Sequence, residues 1–572
     1  MASMFPQCNR SLDRRSDICK PREFSTVKPE QVRRSANYQP SIWSFDYIQS
    51  LSSKYTDEEY ASRANNLKET VKEMIHNAGK PLGTLELVDA LQRLGIAYHF
   101  VDEITDAMEV IYGDYFKKED KWNKMDINLK ALGFRLLRQH GYHVPQEIFL
   151  NFMEKIQELK PHLHDDMVAM LNLYEASYYS FEDEDILDDA KDITTKYLKE
   201  NLENLDENML SLVNHALEVP LNLSVGRVEA RWFIKVYANR GHMNPTLIEL
   251  AKLDFDMVQA IYIEDLKHTS RWWKNTKWEK NLSFARDRLV ESLLWTTGIT
   301  DRPCFSFARR TLTKVIVLIT IIDDIYDVYG TLDELEQFSD ATRRWDINAI
   351  KELPDYMQIC FLGLYNTIND IIYNTLTDKG LLITEYLKEA WLGLLNAYLV
   401  EARWYRDGYI PTFKEYLENG LISISCPLVL MHLMLSTSVS SYEEIKRCLE
   451  RCETLFRYSS IIGRLFDDLG TSRDEMARGD IAKSIQCYMH ETGATEEEAR
   501  AYIKSYVMKT WKILNKERPR AGDSQFLKEF YDNTTNLVKM AQFMYSDGDG
   551  HGRPEVAESR IASLLLNPIQ GI

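Results

Sequence analysis

The chain has 572 residues, 45% of them apolar, which is enough material for more than one buried core and makes two domains the natural expectation. Its formal net charge of −18 and pI near 5.3 exclude a broad basic face for nucleic acid. An anionic ligand must therefore be met by local cations or by metal.

The first 32 residues are rich in Pro, Ser, Arg and Lys and carry no helical stripe. They read as a disordered segment or a short transit peptide, although Asp13, Asp17 and Glu23 depart from the acid-poor composition of a clean one. No apolar core of a secretory signal is present, so the compartment stays open between plastid and cytosol. The eight cysteines form no C-x-x-C pair and no array with histidine, which points to reduced, small buried side chains in an intracellular protein. The apolar run Val315–Ile322 falls far short of the roughly 20 residues that cross a bilayer, so no transmembrane segment is expected.

From about residue 43 apolar residues recur at three- and four-residue intervals with few Gly or Pro between them. In "TLELVDALQRLG", Leu87, Val88, Leu91 and Leu94 form a stripe, and Gly95 stands where a helix would end. Ser441 with Glu444 and Thr495 with Glu498 read as capping boxes. Strand alternation is absent, and the fold class is all-α. Gly, Asn and Pro in "YANRGHMNP", Tyr237–Pro245, mark a boundary between an N-terminal helical domain, 33–240, and a C-terminal one, 241–572.

The chemistry-bearing residues begin with "TIIDDIYDVYG". On a helix Asp323 and Asp327 share a face, with Asp324 about 100° around from Asp323. Carboxylates stacked in this way repel unless a cation sits between them, and the apolar run before them draws the helix into a core. Oxygen-only ligation points to a hard cation, Mg²⁺ first of all. In "GRLFDDLGTSRDEMARGD", Asp467, Thr471 and Glu475 fall along one helical face as a second oxygen-donor set. Alone, that stretch reads as an exposed polar helix. Together the two sets argue for facing metal-bearing helices. Arg286 and Arg288 in "FARDRLVE", Arg464 three residues before Asp467, and Lys483 beyond it are candidate phosphate clamps in an acidic chain.

With these motifs in this order, the sequence resembles the plant class I terpene synthases, in particular the angiosperm monoterpene synthase group. "DDIYD" matches the family's D-D-x-x-D, "DDLGTSRDE" its (N/D)-D-x-x-(S/T)-x-x-x-E, "RDR" its R-x-R, and "RRSANYQPSIW" its R-R-x8-W element. The resemblance implies a class I terpene synthase fold in the C-terminal domain, acting as a carbon–oxygen lyase on a small-molecule prenyl diphosphate. It implies three Mg²⁺ ions, with Mn²⁺ as an alternative, carried by Asp323 and Asp327 on one side and by Asp467, Thr471 and Glu475 on the other. Arg286, Arg288, Arg464 and Lys483 would bind the diphosphate. Trp295 and Tyr545 would line the cation pocket, Asp549 would help close it, and Arg33, Arg34 and Trp43 would cap it. The N-terminal domain lacks a D-x-D-D acid motif and is expected to be structural, in a monomer or weak homodimer.

Substrate length is open at this level. The paired arginines and Trp43 favour geranyl diphosphate and a monoterpene olefin or alcohol; the poor transit peptide favours farnesyl diphosphate and a sesquiterpene such as nerolidol or farnesene, or use of both substrates. Aliphatic Ile316 and Leu318 disfavour a five-carbon substrate, and Cys426 stands where relatives often have Gly. A chain-elongating prenyl transferase would be expected to carry a second D-D-x-x-D, and a non-enzymatic helical scaffold would leave its acids solvated.

Overall fold

The computed structural model describes residues 33–569 apart from 123, 157–165 and 438, so the segment 1–32 lies outside the described residues. Every regular element among the described residues is helical. Helix α1 (Pro81–Arg93) starts on a proline, whose missing N–H costs nothing there, and buries Leu85, Val88 and Leu91. Leu87 is only half-buried, because Leu85 takes the core position one turn before Val88 and Leu91 close the stripe. Gly95, at φ 75°, follows the helix in the left-handed region. Helix α2 (Ile127–Gln139) is capped by Asp126, whose carboxylate accepts from the Leu129 N–H at 2.7 Å.

Helix α3 (Gly226–Ala238) leads through a turn into α4 (Pro245–Thr276), where the Asn244 side chain accepts from the Thr246 and Leu247 N–H groups. The Gly, Asn and Pro of Tyr237–Pro245 thus serve a helix–turn–helix connection. With 32 residues, α4 runs about 48 Å. It packs on Glu58–His76 of the first half and on helices of the second, and one buried apolar cluster continues through both halves.

The second half contains α5 (Leu289–Ile299), α6 (Ser306–Asp324), α7 (Thr384–Asp407), α8 (Phe413–Ser423), α9 (Cys426–Ser436), α10 (Glu453–Arg478) and α11 (Gln525–Tyr545). Successive contacts α5–α6–α9–α10–α11–α5 close a ring, with α7 and α8 packed beside it. Two local features depart from the sequence expectation. Helix α6 passes at Asp324 into a π turn, Ile325–Tyr329, so Asp327 sits on a widened turn and not on a continuous α-helix. That turn closes with the Gly330 N–H on the Ile325 carbonyl at 2.7 Å, so close that a Cβ on Gly330 would lie 2.8 Å from the same oxygen. Ser441 caps its helix, yet Glu444 accepts from Ser440 one residue upstream, leaving the box incomplete; Thr495 and Glu498 form a reciprocal one.

The stretch Phe413–Ser436 is long and apolar enough to cross a membrane by length and composition, which a search for unbroken runs overlooks. Here 72% of its most apolar window is buried, and Ser425, at φ 65°, breaks it into α8 and α9. The free cysteines among the described residues are buried except Cys304, which is exposed, contrary to the expectation of burial for all of them.

Candidate active site

The ring of helices encloses a cavity whose mouth carries charge and whose floor is apolar. On one wall, the end of α6 and the π turn present Asp323 and Asp327. The neighbouring Asp324 is fully buried and points away from the cavity, where its carboxylate accepts the Arg286 backbone N–H at 2.7 Å and forms an ion pair with the Arg286 guanidinium at 2.8 Å. Arg286 reaches Asp323 at 2.6 Å with the same Nη2, so Asp324 holds the arginine that faces the cavity.

On the opposite wall α10 presents Arg464, Asp467, Thr471, Glu475 and Arg478 as one stripe. Arg464 pairs with Asp467 and, at 2.9 Å, with the fully buried Asp468, which also accepts from Tyr416 OH and the Ser484 N–H. The Lys483 ammonium lies 3.5 Å from Glu475. Arg478 extends the same helical stripe by three residues and was legible by the spacing that finds Glu475. Tyr398 and Glu401, from α7, had no such signal, since only the tertiary fold brings them to the cavity.

Electrostatics set the two acidic walls apart. Burial, reinforced by the charge of Asp323, pushes the Asp327 carboxyl well above the usual carboxylate range. Burial likewise raises Glu401. Burial would also raise Glu475, but Lys483 and Arg464 outweigh it and hold that carboxyl below its ordinary value. One Glu475 oxygen, Oε2, is buried without a hydrogen-bond partner. An oxygen-only donor set with a buried unsatisfied oxygen and a crowded carboxylate pair fits a hard divalent cation. No group of three or more acidic, His or Cys ligands converges among the described residues, so each ion would complete its shell with water or ligand oxygens.

The floor is built from Trp295, Ile316, Ile319, Val429, Leu537 and Tyr545. The Trp295 and Tyr545 rings lie 5.9 Å apart at 58°. Asp549 accepts from the His551 and Gly552 N–H groups at 3.1 and 2.6 Å, folding the loop after α11 over the cavity. His551 also lines the cavity, with Nε2 2.9 Å from the Thr320 hydroxyl, and burial pushes its pKa down to about 3, so the ring is neutral.

Cys426 lies at the α8–α9 break, where Gly463 of α10 makes room for it: a Cβ on Gly463 would meet the Cys426 Sγ at 2.9 Å. Gly463→Ala is expected to drive the thiol aside into the cavity and change product proportions with little change in melting temperature. An unchanged product profile by gas chromatography would contradict this packing.

The remaining sequence candidates stand around the mouth. The Arg34 guanidinium donates to the Asp327 carbonyl at 3.0 Å and to Asp480 at 3.0 Å, and Arg33 pairs with Glu334 at 2.8 Å while donating to the Tyr329 carbonyl at 3.0 Å. Arg288 does not line the cavity: its guanidinium is buried and donates to the carbonyls of Gln39 and Gly552 at 2.8 Å, joining the N-terminal segment to the loop after α11. Trp43 does not line it either: its ring lies 6.0 Å from that of Tyr47, beside Trp273 and Trp278 in a neighbouring recess that shares Arg286 with the cavity. Arg34→Ala is expected to lower kcat/KM about tenfold or more by loosening the cover, with melting temperature nearly unchanged because an ion pair whose arginine is 34% exposed contributes about 0–1 kcal/mol. Wild-type kinetics in this variant would separate the segment from catalysis.

A helical ring around an apolar cavity, with two oxygen-donor walls and basic groups at its mouth, defines a metal-dependent enzyme that handles an anionic group attached to an apolar chain. Residues 274–513 match the family model described as "Terpene synthase family, metal binding domain", and 42–217 match "Terpene synthase, N-terminal domain". The chain belongs to the terpene synthase family and is a carbon–oxygen lyase acting on prenyl diphosphates. It is 63% identical over 541 residues, 95% of each chain, to a protein of Artemisia annua named R-linalool synthase QH1, chloroplastic. Among solved structures, limonene synthase with 2-fluorolinalyl diphosphate superposes with TM-score 0.90 at 42% identity, covering 94% of this chain and 100% of that one. Isoprene synthase from Populus x canescens, in complex with three Mg²⁺ ions and dimethylallyl-S-thiolodiphosphate, matches with TM-score 0.81 at 40% identity over 92% of this chain and 99% of that one.

Proposed function

We propose that this chain ionises geranyl diphosphate and ends the resulting cation as a monoterpene, with the acyclic tertiary alcohol linalool as the main product. The observation that carries this reading is the pair of oxygen-donor walls facing each other at the mouth of an apolar cavity. The product is supported by the 63% identity to a protein named R-linalool synthase.

In this reading Asp323 and Asp327 would hold one part of a set of three Mg²⁺ ions, and Asp467, Thr471 and Glu475 would hold the other, with Mn²⁺ as an alternative. When bound, the metal supplies positive charge that neutralises the departing diphosphate. Arg286, Arg464 and Lys483, already oriented by Asp324, Asp468 and Glu475, stabilise the same developing charge. Arg288 acts one layer out, fixing the covering segments through Gln39 and Gly552. Trp295 and Tyr545 present π faces to the allylic cation. Arg33, Arg34 and the Asp549 loop exclude bulk water, so a restricted supply reaches the tertiary carbon. Trp43 acts only by anchoring the capping segment.

The division at 240/241 is retained as the proposed domain boundary, with the first domain as structural support. The working unit in this reading is a monomer or a weak homodimer. The word "chloroplastic" in the relative's name supports the plastid over the cytosol. Incubation of the purified protein with Mg²⁺ and either geranyl or farnesyl diphosphate, followed by gas chromatography and mass spectrometry, tests the proposal. A predominant ten-carbon alcohol from geranyl diphosphate is expected. Exclusively fifteen-carbon products, or no volatile from either substrate, would overturn it.

A further inference from the structure

A second cavity, of about 360 Å³, lies at the seam between the two halves and is separate from the catalytic one. At about 30 Å³ per water it has room for about a dozen waters or a small organic or inorganic ion. Helix α11 separates the two cavities. Its Leu537, Ala541 and Tyr545 line the catalytic cavity, whereas Lys528, Asp532, Asn536 and Lys539 line the seam. The latter recur at three- and four-residue intervals and form a polar stripe, which would ordinarily face solvent but here faces the other half of the protein.

The lining has the opposite charge balance to the chain. Arg93, Arg135, Arg302, Arg518, Lys528 and Lys539 stand against the two carboxylates Glu229 and Asp532, in a protein of net charge −18. Four of these cations have carboxylate partners: Arg93 with Glu229 at 2.9 Å, Arg135 with Asp89 at 2.5 Å, Arg302 with Glu529 at 3.4 Å, and Arg518 with Asp532 at 3.2 Å. Lys528 donates to the Ala521 carbonyl at 2.5 Å. Lys539 has no hydrogen bond or ion pair among the described residues. Burial, then the nearby Arg518, pull its pKa down to about 8. Across the seam Arg135 is only 2% exposed, and its Nε is buried with no hydrogen-bond partner.

We propose that the seam cavity is a binding site for a small multivalent phosphate anion, held by Lys539 and Arg518 from one half and by Arg135 from the other. Guanidinium and ammonium groups converging from two sides suit phosphate oxygens. None of these three residues lines the catalytic cavity, so the site is distinct from the metal-dependent one.

Calorimetric titration of the full chain with inorganic diphosphate in EDTA, where the metal sites cannot contribute, tests the assignment. One saturable site is expected, weakened about tenfold or more in Lys539→Met, kept in Lys539→Arg, and unchanged in Lys483→Met. Matching melting temperatures for the two Lys539 variants exclude misfolding, and the arginine variant carries the test if the methionine variant does not fold. No saturable binding, equal binding in Lys539→Met, loss of binding in Lys539→Arg with the fold intact, or dependence on Lys483 would each overturn the proposal.

Discussion

Asp323→Ala and Glu475→Ala should each lower kcat with geranyl diphosphate by on the order of 10³-fold or more while leaving the melting temperature close to wild type. The two residues stand on opposite walls, so in the proposed mechanism each variant would remove one side of the metal clamp. Asp323 is partly open to solvent, and its partner Arg286 keeps Asp324 at 2.8 Å, so the helix end survives the change. Lys483, deprived of Glu475, still has the Asp327 and Glu401 carboxyl groups nearby, and its positive charge favours their ionised forms. Steady-state kinetics read beside thermal melting check this. Near-normal turnover in both variants would remove the carboxylates from the mechanism.

The second large effect is on stability, at a position outside the cavity. Asp265 of α4 is fully buried and accepts from Arg309 at 2.8 Å and Arg310 at 2.6 Å, both near the start of α6, and from the Ser306 hydroxyl. Arg309 is itself fully buried and also donates to the carbonyls of Thr300 and Arg302. This network bolts the helix that ends in Asp323 to the long helix shared by both halves. Asp265→Ala strands a buried guanidinium and is expected to cost about 3–5 kcal/mol, seen as a marked fall in melting temperature and a shorter half-life on heating. Unchanged melting would show that water replaces the carboxylate.

What the sequence could and could not reveal follows from the distance over which each feature is determined. Helices were legible because burial along them repeats every three or four residues, and the stripe from Asp467 to Glu475 was legible because one helix carries it. Arg478 belongs to the same stripe and is reached by the same spacing. Glu401, Tyr398 and His551 reach the cavity only when α7 and the loop after α11 pack against the other helices, which no local spacing encodes. The π turn escaped because the residues of Ile325–Tyr329 have no composition that distinguishes i+5 from i+4 bonding. Arg286 and Arg288 part company because they lie outside regular structure, where a spacing of two does not set direction: one turns to Asp323, the other to Gln39 and Gly552.

Diffraction from crystals grown with Mn²⁺ and inorganic diphosphate, measured at the manganese edge, addresses the metal assignment most directly. Anomalous peaks within ligand distance of Asp323 and Asp327, and of Asp467, Thr471 and Glu475, with diphosphate between them and beside Arg286, Arg464 and Lys483, are the predicted result. Diphosphate in the cavity with no metal peak on either wall, or metal bound only elsewhere, would contradict it.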